Sequence, residues 1–486
     1  MVFSSHFFIF VFLPLVLVAY YVCPKWLKHP LLTVFSYLFY GWSNPLFVVL
    51  MFISTIIDYT AGRVIAAGDP RNMQSDDYFA LVEGGTRSRG QKIALISSIV
   101  SNLSLLGFFK YYNFGIENIA RLFKAIGFEG LSSGHFFHVV LPLGISFYTF
   151  QSMSYAIDVY RGHARPLRSF PDFACYIALF PQLVAGPIIR YQDVADQLFE
   201  RSHTAAKFAR GMAFFSLGLS KKVLLANPCG RIADTVYESA VRSTADAWSG
   251  MLAYSMQIYF DFSAYSDMAV GLGLMFGFVF IKNFDSPYRS LSVTEFWQRW
   301  HISLSTWLRD YLYIPLGGNR SGNARTYVNL MMVMLLGGLW HGASWNFVIW
   351  GGSHGLWLVM ERLWSRRSLP APPHWLRLPL TFLGVSLLWI PFRSPDLACC
   401  VAFFGDLIPD LSQLGAASSL TGAAINSPYL LGSLLLALII AFFGIPSWQF
   451  TRRLPAWKLC LVLVMLGGGA AMLSSQSYNP FIYFIF

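Results

Sequence analysis

LMMVMLLGGLWHGASWNFVIW, residues 330–350, runs for 21 positions with no Asp, Glu, Lys or Arg and one titratable side chain, His341. A helix of about 20 apolar residues is long enough to cross the hydrocarbon core of a bilayer. An ionisable group inside such a run is costly to bury, so its presence is by default a functional hypothesis. The rest of the chain supports a membrane reading. Apolar residues make up 55% of the 486 positions and charged residues 12%, about half the 25% of soluble domains. Aromatic residues reach 17%, as lipid-facing and interfacial surfaces favour. Further apolar runs lie near 7–23, 31–42 joined to 45–62, 93–109, 139–159, 211–227, 247–275, 326–350, 346–363, 378–393, 427–445 and 457–474. They predict an all-α, polytopic membrane protein with about 11 spans in one membrane-embedded unit, 1–486. Residues 1–23 lack a charged leader and a small-residue cleavage site, so they read as a retained first span.

The net charge of +11 does not point to nucleic acid, because the basic residues sit between apolar runs. Lys25 and Lys28 follow the first run, and Arg63, Arg71, Arg87, Arg89 and Lys92 fill a later loop. The positive-inside rule makes these segments cytoplasmic and puts the N-terminus outside. The six cysteines form no CxxC and no metal spacing, and read as small buried apolar groups.

Two segments depart from simple spans. PDFACYIALFPQLVAGPIIR, residues 171–190, carries Pro181, Gly186 and Pro187 inside an apolar run and predicts a re-entrant or broken helix; a kinked span is the alternative. KNFDSPYRSLSVTEFWQRWHISLSTWLRDYLYIPLGGNRSGNAR, residues 282–325, predicts an amphipathic helix starting at Ser292 or Thr294, with Phe296, Trp297, Trp300, Leu304, Trp307, Leu308 and Tyr311 on one face.

Of ten histidines, three stand out. His341 has small neighbours, Gly337, Gly338, Gly342 and Ala343, that let a substrate or helix approach, and a neutral imidazole there can act as a general base. His301 reads as a second catalytic group, a positioning group or an interfacial histidine. His354 reads as packing or support. Asp58, Asp158, Asp261 and Asp267 are acids in apolar surroundings. The last two can line a polar path, bind an ion or pair with Arg299 or Arg309. No Walker, GxGxxG, GxSxG or HExxH motif occurs.

Long motifs add a family resemblance: LPLGISFYTFQSMSYAIDVYRG at 141–162, FPQLVAGPIIRY at 180–191, QIYFDFSAYSDMAVGLGLMFGF at 257–278, TEFWQRWHISLSTWLRDYLYIPLGGNR at 294–320 and MLLGGLWHGASWNFVIWG at 334–351. With MVFSSHFFIFVFLPL at the start and SSQSYNPFIYFIF at the end, the chain resembles the membrane-bound O-acyltransferase family, in its alginate O-acetyltransferase branch. The resemblance implies spans around a central tunnel, with His301 and His341 at the site. It also implies acetyl transfer from cytoplasmic acetyl-CoA, with no permanently bound cofactor. His341 would be the base, and His301 would orient the donor or stabilise charge. Trp300, Arg299, Arg309, Asp261, Asp267 and Trp340 are the donor-binding or tunnel candidates. Periplasmic acetyltransferase subunits are the implied partners at the bacterial inner membrane, an exopolysaccharide the final acceptor, and 478–486 a partner or interface anchor. D-alanyl transfer, a transporter or polymer channel, and a scaffold are the competing readings.

Overall fold

The computed structural model describes residues 1–42, 44–74, 78–128, 136–367, 370, 372–409, 425–476 and 478–482, and every regular element among them is helical. The chain divides into two compact units.

The first unit comprises Met1–Val2, Phe7–Thr204 and Phe276–Ile281. Its main helices are α1 (Leu13–Val22), α2 (Lys28–Gly41), α3 (Leu46–Ala66), α4 (Arg89–Ala125), α5 (Ile145–Arg161) and α6 (Phe170–Ala178). Ser88 and Gln91 form a reciprocal capping box that starts α4. Asp58 is fully buried in α3. It accepts hydrogen bonds from Ser98 Oγ at 2.6 Å and Asn102 Nδ2 at 2.8 Å on α4, tying two apolar helices together through a polar contact. Asp158 accepts from Gln192 N at 3.1 Å.

The break expected within 171–190 is present. Helix α6 ends at Ala178, a one-turn helix covers Phe180–Leu183, and the next helix starts at Tyr191. Backbone freed from helical bonding in a buried segment needs other partners. Ser36 Oγ accepts from Phe180 N at 3.0 Å, Gln182 Nε2 donates to Tyr176 O at 2.6 Å, and Tyr176 Oη donates to Ile189 O at 3.0 Å.

The second unit comprises Phe3–His6, Ala205–Met275 and Lys282–Phe486. Its helices are α7 (Ala205–Lys221), α8 (Asn227–Glu238), α9 (Thr244–Met275), α10 (Val293–Arg299), α11 (Ile302–Leu308), α12 (Asn323–His341), α13 (Trp345–Arg366), α14 (His374–Arg393), α15 (Leu397–Asp406), α16 (Pro428–Phe443) and α17 (Ala456–Ser475). Almost the whole of α9 is buried. Helices α12 and α13 separate the overlapping apolar runs 326–350 and 346–363. They approach closely at two glycines: a Cβ on Gly338 would lie 2.2 Å from Phe347 O, and one on Gly351 would lie 2.3 Å from Met334 O. Residues 478–482 pack inside this unit, with Phe481 stacked on Tyr265 at 4.7 Å and Ile482 2% exposed. The remaining expected anchor residues, 483–486, lie outside the described residues.

Among the described residues, four helices are long and apolar enough to cross a membrane: Leu46–Ala66, Arg89–Ala125, His374–Arg393 and Ala456–Ser475. Phe8–Val22, Leu397–Asp406 and Pro428–Phe443 are shorter apolar helices. Helices also cover the other expected runs, but they are shorter or carry more polar residues; Asp246, Asp261 and Asp267 all lie in α9. Leu15, Val18, Val22, Leu435, Leu463 and Val464 stand exposed, an apolar surface that a bilayer would cover.

The glycine contact generates a stability prediction. Gly338→Val should push α12 from α13 and cost about 1–3 kcal/mol, read as a drop of several degrees in the melting temperature of detergent-solubilised protein. Gly107→Ala, with nothing within 4 Å of the added Cβ, should leave the melting temperature unchanged or slightly raised.

Candidate active site

The segment predicted as one amphipathic helix folds as two. Ser292 Oγ accepts from Glu295 N at 3.0 Å and starts α10. Glu361 of α13 reinforces that start, accepting from Val293 N at 2.6 Å, Thr294 N at 2.9 Å and Thr294 Oγ at 2.7 Å. Helix α10 stops at Arg299, and His301 takes φ 44° and ψ 53° as the N-cap of α11. A non-glycine residue in the left-handed region costs about 1–3 kcal/mol unless its surroundings hold it there.

Asn283 does the holding. Its carbonyl accepts from Ile302 N at 2.9 Å. Its Oδ1 accepts from Ser303 N at 3.1 Å and Ser303 Oγ at 2.9 Å, and lies 3.2 Å from His301 Nδ1. Its Nδ2 donates to Ser266 Oγ at 2.9 Å. Ser303 Oγ also lies 3.3 Å from His301 Nδ1, so the amide oxygen and the hydroxyl both hold that ring nitrogen. His301 is fully buried and lies outside the candidate spans. Burial pushes its pKa down to about 3, so the ring is neutral at physiological pH.

His341 ends α12, is 8% exposed, and lies 6.5 Å from His301 between ring centroids. Trp340, Trp350 and Phe392 surround its ring at 5.0, 5.2 and 5.3 Å. It opens on a cavity of about 550 Å³ whose lining includes Trp297, Gln298, Arg309, Tyr313 and Arg362. The His341 imidazole thus meets the cavity, and the rigidly held, fully buried His301 imidazole lies behind it beside an aromatic wall. Such an arrangement can move a proton while limiting water access.

The other candidates separate into groups. Trp340 packs against both imidazoles, 6.1 Å from His301. Trp300 stacks on Phe296 at 5.5 Å, packs at a tilt against Trp389 at 5.0 Å, and supports the fold behind the site. Arg299 pairs with Glu295 at 2.7 Å and donates to Asp285 O at 3.1 Å. Arg309 lines the cavity and pairs with Asp310 at 2.7 Å. Asp261 and Asp267 pair with neither arginine. Lys222 meets Asp261 at 2.8 Å, and Lys221 meets Asp267 at 2.7 Å. Asp261 also accepts from Ile482 N at 2.9 Å, and Asp267 from Ser447 Oγ at 2.7 Å. These acids anchor helices and the C-terminal segment.

His354 accepts from Trp297 Nε1 at 3.4 Å and packs on Trp350 at 5.0 Å, supporting the cavity wall. Among the described residues, no three His, Cys, Asp or Glu side chains converge where a metal ion would sit. Sequence reasoning missed Asn283, Glu361 and Arg362. Asn283 precedes His301 in a loop without periodicity, and the two others lie near the charged end of α13, where no motif marks them.

The family model described as membrane-bound O-acyltransferase matches residues 161–391. The probable alginate O-acetylase of Pseudomonas aeruginosa PAO1 is 39% identical and that of Pseudomonas putida KT2440 41% identical, each covering 100% of both chains. The peptidoglycan O-acetyltransferase of Helicobacter pylori 26695 is 35% identical over 82% of this chain and 78% of its own.

The Lys222–Asp261 pair, 3% and 2% exposed, tests whether Asp261 is structural. Asp261→Asn should leave a buried ammonium without its counter-ion and destabilise the protein by about 3–5 kcal/mol. The double replacement Lys222→Met with Asp261→Leu should recover most of that loss in thermal unfolding.

Proposed function

The chain belongs to the membrane-bound O-acyltransferase family, and from that premise we propose that it moves acetyl groups from cytoplasmic acetyl-CoA across the bacterial inner membrane for O-acetylation of an exopolysaccharide. Alginate is the first candidate polymer, ahead of cellulose. The proposal includes a single acyltransferase domain over 1–486 with about 11 spans around a tunnel. Periplasmic acetyltransferase subunits receive the acetyl group. Full-length similarity to alginate O-acetylases supports the polymer class. The observation that carries the chemistry is the His301–His341 pair, 6.5 Å apart beside a cavity of about 550 Å³.

His341 takes the proton from the acceptor hydroxyl as that oxygen bonds to the thioester carbonyl carbon. The carbon–sulfur bond then breaks, and the imidazolium returns the proton to the departing thiolate. Removing such a base typically costs about 10²–10⁴ in rate. With the His301 proton taken to sit on Nδ1, toward the Asn283 oxygen 3.2 Å away, Nε2 is the accepting nitrogen. It therefore suits orienting a donor such as the acceptor hydroxyl better than supplying a proton to an oxyanion.

The direct test follows thiol release from acetyl-CoA by purified protein in detergent. Wild type should release thiol, and His341→Ala should lose at least about 10² in rate. If folded wild type releases none, the acetyl-CoA reading falls; turnover of an aminoacyl carrier protein would then favour D-alanyl transfer, and donor-independent flux in liposomes a channel. Asn283→Asp tests the His301 role. A carboxylate beside Nδ1–H favours the imidazolium, so the His301 pKa should rise from about 3. The neutral form is the working one, so activity should fall as pH drops through the new value. Followed by NMR, the His301 titration should therefore move upward by about 1–2 units.

A further inference from the structure

Arg362 stands in a wall shared by two cavities of the second unit. One is the cavity of about 550 Å³ that His341 lines. The other, about 700 Å³, is lined by residues that include Trp357, Trp364, Ser365, Arg377 and Thr381, and Thr294 and Arg362 belong to both.

The cations around this unit's interior are mostly committed. Lys221, Lys222, Arg242, Arg299, Arg309 and Arg393 each pair with a carboxylate. Arg362 has no such partner among the described residues, and its buried Nε makes no hydrogen bond. The adjacent carboxylate, Glu361, is occupied by the start of α10. In the second cavity Arg377 spends its Nε on Leu291 O at 3.2 Å. A partly buried guanidinium without an anion is costly. Its planar fork matches phosphate bidentately. The cost is offset if the anion arrives with the substrate.

We propose that Arg362 is the residue that selects the acyl donor, by gripping the phosphate of a phosphopantetheine-type thioester that bridges the two cavities. The thioester end reaches His341, and the phosphate end lies toward Arg377. This rests on the acetyl-transfer reading above. The same phosphate is carried by a free coenzyme A thioester and by the prosthetic arm of an acyl carrier protein, so the experiment includes both sources.

The experiment measures kcat and KM for wild type, Arg362→Ala and Arg362→Lys. The donors are acetyl-CoA, acetyl-phosphopantetheine, an acetylated carrier protein, and acetyl-pantetheine, which lacks the phosphate. Loss of a charge-assisted hydrogen bond predicts that Arg362→Ala raises KM for the phosphorylated donors about 10–100-fold with little change in kcat. KM for acetyl-pantetheine should stay at the wild-type value. Arg362→Lys, which keeps the charge and loses the fork, should fall between, and it decides the matter if the alanine variant does not fold. Whichever phosphorylated donor wild type turns over with the lower KM identifies the physiological source. Equal effects on phosphorylated and unphosphorylated donors, or no effect on either, would overturn the proposal while His341-dependent thiol release left the enzyme reading intact. Failure of wild type to consume any of the four would remove both.

Discussion

A polar group inside a largely apolar chain must find its partner within the protein, and this constraint organises the architecture. Leaving such a group unpaired costs about 1–3 kcal/mol for a neutral group and more for a charge. The broken segment after α6 survives because Ser36, Gln182 and Tyr176 take up its backbone groups. Consecutive lysines, Lys221 and Lys222, meet two acids of α9. The second of these pairs also holds the C-terminal segment, since Asp261 accepts from Ile482 N and Lys222 Nζ donates to Pro480 O.

At the candidate site the same constraint yields rigidity. Asn283 gathers the backbone of Ile302 and Ser303 and the ring of His301 into one network. That network supports a backbone conformation that few side chains adopt. His341 is fixed differently, by its place at the end of α12 and by three aromatic rings. The glycine contact between α12 and α13 sets where that helix end lies. Preorganisation of this kind lets a base act without first rearranging its surroundings.

Much of this was legible in the sequence. Apolar run lengths gave helices in nearly the expected places, Pro181, Gly186 and Pro187 marked the broken segment, and Ser292 with Glu295 marked the start of α10. His341 stood out because nothing else in its run can titrate. Other features depend on tertiary contacts that no local pattern records. The left-handed turn at His301 splits an apparently continuous amphipathic face, and Asn283, far back in a loop, stabilises it. The lysine partners of Asp261 and Asp267 lie at the end of another helix, and no local pattern links them to the acids. Glu361 and Arg362 are neighbours in sequence, yet one caps a helix and the other faces two cavities. The number of spans was not legible from apolarity, because helices buried among other helices can carry acids and hydroxyls that a lipid-facing helix would not tolerate.

The central claim is that His301 and His341 face one reacting thioester. A structure of the wild-type protein bound to a ketone analogue of acetyl-CoA, in which a methylene replaces the scissile sulfur, tests it most directly. The account predicts the carbonyl carbon beside His341 and His301, with the phosphates across the wall that Arg362 shares. An analogue bound with its carbonyl remote from both imidazoles would contradict it.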